Sequence, residues 1–141
     1  MFNQLKEKYK FENITVLENL TEISKNKYDF ICFGSVVQYM ENYEQILSIA
    51  TKVSKKYIFF SATHFFSKNI DEKKRIIARQ VNFLPSEIYC YFFNFNDFLE
   101  IFTANKFYVV SKDKNILVKI NYNNFGYSSG NITYTDLLLS L

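Results

Sequence analysis

Apolar residues fall along this chain partly as unbroken runs and partly as stripes of helical spacing. The first run is Tyr28-Asp29-Phe30-Ile31-Cys32-Phe33, closed by Gly34-Ser35. Four consecutive apolar residues without alternation predict a strand buried on both faces, as in a parallel sheet. A stripe follows, with Tyr43, Ile46, Leu47, Ala50 and Val53 recurring over three helical turns. Asn42 with Gln45 three residues on predicts a capping box at its start, and Lys52, Lys55 and Lys56 suit the negative end of the helix dipole. A second run, Tyr57-Ile58-Phe59-Phe60, is expected to close at Ser61-Ala62-Thr63-His64. Strand, helix and strand with short joints predict a βαβ unit, and with it an α/β fold.

Beyond this unit the pattern is less regular. Charged residues 71–79 read as a short helix, and residues 81–93 are aromatic around the single proline, Pro85. Asn96-Asp97 opens a helix with Phe98, Leu99 and Phe102 on its apolar face, and Phe107-Tyr108-Val109-Val110 reads as a strand. After a turn at Asp113-Lys114-Asn115, residues 116–122 alternate like a half-exposed antiparallel strand, and residues 132–139 read as a last strand. At the start, residues 2–9 suit a short helix and residues 14–17 an extended segment.

Composition narrows the classes. The 141 residues make room for one domain, and 16 Phe with 11 Tyr supply ample core. A net charge of +3, carried by 15 Lys and only two Arg, does not argue for nucleic acid. No apolar run approaches the roughly 20 residues of a membrane helix, and the charged first residues do not form a signal peptide. Cys32 and Cys90 lack metal or redox spacing and read as buried free thiols of a cytoplasmic protein.

From Asp29 onward the order of elements resembles the rear part of a class I S-adenosylmethionine-dependent methyltransferase. Tyr28-Asp29-Phe30-Ile31 matches the start of that fold's fourth strand, and Val36-Val37-Gln38-Tyr39-Met40 the turn after it. Ser35-Val36-Val37-Gln38-Tyr39 and the stretch Pro85-Ser86-Glu87-Ile88-Tyr89-Cys90-Tyr91-Phe92-Phe93 are similar to segments of a methyltransferase-like family of bacterial surface-polysaccharide gene clusters. The resemblance spans residues 10–140 and implies a single partial Rossmann-like domain ending in an antiparallel strand pair. It also implies S-adenosylmethionine as cofactor, with a saccharide or small metabolite as methyl acceptor.

The departures are as informative. Such enzymes hold the cofactor through a glycine-rich turn after the first strand, where glycine lets the backbone approach the ligand. This chain has only Gly34, Gly126 and Gly130, in no G-x-G cluster, and shows Thr63-His64 where the family tends to have Thr-Pro. On this comparison the first two strands have no counterpart. The strand from Tyr28 would then carry an unpaired apolar edge, an association template. That predicts a partner: a second copy, a separately encoded front half, or a rearranged N-terminal segment. The competing reading is a catalytically silent α/β interaction module.

Ligands of open α/β sheets bind beyond the carboxyl ends of the strands. Gly34, Ser35 and Gln38 at one such end are the candidate cofactor-binding residues. His64, the only histidine, is expected in a loop past the neighbouring strand, as a general base for an acceptor hydroxyl or as an ordinary exposed residue. No metal-ligand spacing includes it. Ser35 with His64 lacks the G-x-S-x-G elbow of a hydrolase. The aromatic run from Tyr89 to Phe95 reads as core or interface more than as an acceptor wall.

Overall fold

A computed structural model describes residues 20–66, 75–83, 85–115 and 132–141. Six strands form one mixed sheet, with helices on one of its faces. The elements are α1 (Leu20–Ile23), β1 (Tyr28–Gly34), a 3-10 turn (Val37–Tyr39), α2 (Tyr43–Val53), β2 (Ser54–Phe66), β3 (Arg75–Phe83), β4 (Ser86–Asn94), α3 (Phe95–Thr103), β5 (Tyr108–Lys114) and β6 (Ile132–Ser140). The expected α/β class is present, and the expected antiparallel strand pair closes the sheet as β5 and β6. The expectations for residues 2–9, 14–17 and 116–122 lie outside the described residues.

The expected βαβ unit is β1, α2 and β2, with β1 parallel to the first half of β2 from Tyr28↔Ser54 to Gly34↔Ser61. On the other side of β2 runs β6, antiparallel, and β5 is antiparallel to β6 in turn. The sheet therefore reads β1-β2-β6-β5, with β2 and β5 sharing a direction. Beyond the end of β1, the same side of β2 pairs with β4 at Phe65↔Phe93 and Phe66↔Asn94. Thus β1 and β4 share one edge of β2, and the turn Val37–Tyr39 packs at the fork against both β2 and β4.

Three expectations are corrected. Residues 75–79 are not helical: they begin β3, which forms an antiparallel hairpin with β4 through Pro85. The charges at Arg79 and Glu87 face each other across that hairpin at 3.4 Å instead of lining a helix. The capping box at α2 does not form, since the Asn42 side chain makes no cap hydrogen bond. At α3 a cap does form, two residues before the expected start: Asn94 Oδ1 accepts from the Asn96 and Asp97 amides at 3.0 and 3.4 Å.

Most consequential is β2, which does not close at Ser61 but runs on to Phe66. A β-bulge makes this possible. Between Phe60↔Leu137 and Thr63↔Thr135, Ser61 and Ala62 together oppose Asp136. Ala62 adopts a left-handed φ of 48°, and its amide donates to Asp136 Oδ1 at 2.8 Å. Asn115 Nδ2 holds the same carboxylate with two contacts of 3.0 Å.

The helix-covered core joins Ile58, Phe60, Phe65, Leu137 and Leu139 of the sheet to Tyr43 and Leu47 of α2 and to Phe98 and Phe102 of α3. Phe60 meets Phe98 and Phe102 edge-on at 5.2 and 5.5 Å, the geometry aromatic pairs prefer. On the opposite face the register aligns Phe30, Tyr57, Ser140 and Tyr108 in one row across four strands. That row is open at both ends: Phe30 is 54% and Tyr108 59% exposed. Cys32, one residue from this row's neighbour, is exposed too, against the expectation of burial, while Cys90 is buried. Among the described residues no helix is long and apolar enough to cross a membrane.

Candidate functional site

The fork between β1, β2 and β4 gathers the residues singled out in the sequence. Gly34 ends β1, and the space where a Cβ would stand has no atom within 4 Å. Ser35 follows with a left-handed φ of 54°, its amide donating to the Ser61 carbonyl at 3.0 Å. Two non-glycine residues in left-handed conformation thus sit side by side, Ser35 at the exit of β1 and Ala62 in the bulge of β2. Each is a conformation that costs an L-residue on the order of 1–3 kcal/mol, and such outliers concentrate at ligand sites.

Gln38 does not face the open side of this fork. It is wholly buried, and its Nε2 donates to the Ala62 carbonyl at 3.4 Å, tying the turn after β1 to the bulge of β2. Tyr39 donates its hydroxyl to Gln80 Oε1 of β3 at 3.3 Å. Burial, foremost, raises the Tyr39 pKa above that of an ordinary phenol. The structure therefore brings Gly34, Ser35 and Gln38 together, with the first two exposed and the third as an internal brace.

His64 is placed differently from its expected loop. It lies inside β2, 2% exposed, on the face opposite the helices. Its ring packs edge-on against Tyr134 at 4.1 Å and tilted on Phe92 at 4.6 Å, and Nδ1 lies 3.6 Å from Cys90 Sγ. Burial lowers its pKa to about 4, so it is neutral at pH 7. Burial also pushes the Cys90 thiol up to about 11, so the pair is not a thiolate–imidazolium. No group of three or more metal-ligating side chains occurs among the described residues.

One feature escaped the sequence reading. A cavity of about 350 Å³ opens at the start of α2, lined by Glu41, Asn42, Tyr43, Glu44, Gln45 and Arg75. The Arg75 guanidinium lies over the Tyr91 and Tyr43 rings at 5.0 and 5.7 Å. No local pattern announced it: Asn42 reads as a cap, and reading residues 71–79 as a helix hid where Arg75 would point. The aromatic run divides by strand alternation: Tyr91 and Phe93 join the helix-side core, whereas Phe92 packs beside His64.

No family model and no curated protein matches the sequence. Solved structures do match by shape. An S-adenosylmethionine-dependent methyltransferase from Clostridium acetobutylicum superimposes with a TM-score of 0.56 at 10% identity, covering 99% of this chain and 70% of its own. A methyltransferase of the same cofactor type from Listeria monocytogenes gives 0.56 at 10% identity, covering 92% and 65%. The N-terminal domain of EvdMO1 with S-adenosylhomocysteine bound gives 0.51 at 11%, covering 91% and 51%. The fold is a partial methyltransferase-like sheet. The chain spans 51% to 70% of the length of these three structures.

Proposed function

We propose that this chain is the rear part of an S-adenosylmethionine-dependent methyltransferase, with its ligand end at the exit of β1 beside the bulge of β2. The observation that carries this reading is the strand order β1-β2-β6-β5, with antiparallel β6 between the parallel β2 and β5. The residues at the ligand end fit an incoming cofactor. Gly34 and Ser35 are exposed, with open space beside Gly34, so their backbone would contact it. Gln38 would position that backbone from beneath. When bound, the cofactor supplies a methyl group on a sulfonium sulfur. That methyl group would be available to an oxygen or nitrogen of a saccharide or other small acceptor held against the same strand ends. The protein's part is mostly positioning. His64, enclosed between Tyr134 and Phe92, supports the sheet in this reading and does not reach the acceptor as a base.

The outer side of β1 is the natural place for the front of such a sheet, supplied by a second copy or a separately encoded half. The exposure of Phe30 supports this. It equally supports a silent interaction module as the second reading. Titration calorimetry with S-adenosylhomocysteine separates the two. The methyltransferase reading expects saturable heat that Gly34→Val removes; absence of heat at high protein concentration sinks autonomous cofactor binding.

A further inference from the structure

The cavity at the start of α2 lies just past the carboxyl end of β1. The strand ends at Gly34, the turn Val37–Tyr39 follows, and Glu41 already lines the cavity. Open α/β sheets bind ligands beyond the carboxyl ends of their strands, and about 350 Å³ falls at the small end of the roughly 300–1,000 Å³ of small-molecule sites. Arg75, the first residue of β3, completes the lining. Its guanidinium lies over the Tyr91 and Tyr43 rings, so flat surfaces orient the fork in place of a counter-ion. Among the described residues its one hydrogen bond runs from Nη1 to the Glu41 carbonyl at 3.5 Å, and the ion pairs lie elsewhere, at Lys55–Asp29 and Arg79–Glu87. Most of the five N–H donors of this guanidinium are therefore not spent on the protein. Glu41, Asn42, Glu44 and Gln45 are all exposed, and Glu44 Oε1 accepts the Tyr43 hydroxyl at 3.1 Å.

We propose that this cavity binds a neutral, polyhydroxylated ring of the class of a hexose. The lining selects it by charge. Two carboxylates, Glu41 and Glu44, share the cavity with one guanidinium. An anionic ligand would gain Arg75 but stand against both carboxylates; a cationic one would gain the carboxylates but stand against Arg75, and like-charge contacts are costly. An apolar ligand would desolvate these groups and leave them unpaired. A hydroxyl carries no charge and both donates and accepts. A ring bearing several can donate to Glu41 and Glu44 while accepting from Arg75 and from the Asn42 and Gln45 amides. The role of this ring as methyl acceptor rests on the methyltransferase reading above; its binding does not.

The test titrates the isotope-labelled full chain with the methyl glycosides of glucose, galactose and mannose. It reads the amide signals of Asn42, Glu44 and Gln45 and the Arg75 Nε–H by nuclear magnetic resonance. At least one glycoside should shift these signals saturably, and glucuronate and glucosamine should bind at least about tenfold more weakly. Glu41→Ala, at an exposed position, should weaken the bound glycoside about tenfold, as should Arg75→Lys, which keeps the charge but loses the fork. No saturable shift with any glycoside overturns the proposal, as does tighter binding of either charged sugar. Shifts that neither variant weakens overturn it too. Should Arg75→Lys fail to fold, Glu41→Ala and the wild-type titration decide. Heat with S-adenosylhomocysteine but no glycoside shift removes the cavity assignment alone. Glycoside shifts without that heat leave the assignment standing and remove only the ring's role as methyl acceptor.

Discussion

His64 shows how far a residue's type can mislead about its place. Flanked by Thr63 and preceded by Ser61, it reads as the polar end of a strand, yet it is a buried ring among rings. Half of an imidazole's surface is apolar, and alternation cannot distinguish a polar exit from a polar residue packed by aromatic neighbours brought from β4 and β6. Its burial has a pH signature. The folded pKa of about 4 lies below the ordinary 6.5, so the unfolded chain binds the proton more readily. Stability contributed by neutral His64 is full above pH 6.5 and is lost as the pH falls from there toward 4. The loss is on the order of 3 kcal/mol if the whole shift is realised. Cys90 and Tyr134, the titratable groups against the ring, are raised to about 11 and about 12 and stay neutral throughout. Urea midpoints between pH 7 and pH 4.5 should fall more steeply for the wild type than for His64→Phe. Parallel slopes would show that His64 is not the group responsible.

At the scale of elements, what could be read from the chain was what its periodicity states without interruption. Strand β1, helix α2 and strand β6 stand where the runs and the stripe predicted them. Strand β3 was hidden because the charges of residues 71–79 look like a solvated helix, whereas from Arg75 on the chain pairs with β4 across a hairpin. The ligand end was partly legible: Gly34 and Ser35 mark it, but the brace at Gln38 depends on a bulge that no local pattern announces. That bulge rests on Asp136. Removing its carboxylate leaves the Ala62 amide without its acceptor and takes away two contacts of the Asn115 side chain. Asp136→Ala should therefore cost about 1–3 kcal/mol in denaturant unfolding, the price of a buried donor left unmade. Asp136→Asn, which keeps an oxygen for Ala62, should cost clearly less. Equal losses in both variants would mean that charge, not the contact to Ala62, is what Asp136 contributes.

For the molecule as a whole, the two faces of the sheet are unequal. One carries α2 and α3 over an aromatic core; the other presents the Phe30 row, half-buried in the middle and open at its ends. Among the described residues β1 has no neighbour on its outer side, and Asp29 is its one charged guard against pairing. Sedimentation at micromolar concentration should find a species heavier than one chain, or one chain that takes up a separately expressed front half. In either case Phe30→Lys should weaken the association at least tenfold, the effect of losing about 1.4 kcal/mol. A monomer indifferent to both Phe30→Lys and every added partner would remove the case for pairing at β1.

The bulge at Ser61 and Ala62 also decides which neighbour meets which solvent of side chains. Phe60 and Phe65 are separated by five positions, an odd number, yet both look toward α3. In an uninterrupted strand odd separations fall on opposite sides, and His64, four along from Phe60, would take the inner place. One supernumerary residue thus exchanges the two: it sends a phenylalanine inward and the chain's sole histidine outward to Cys90. The parity of a single strand is set by Ala62.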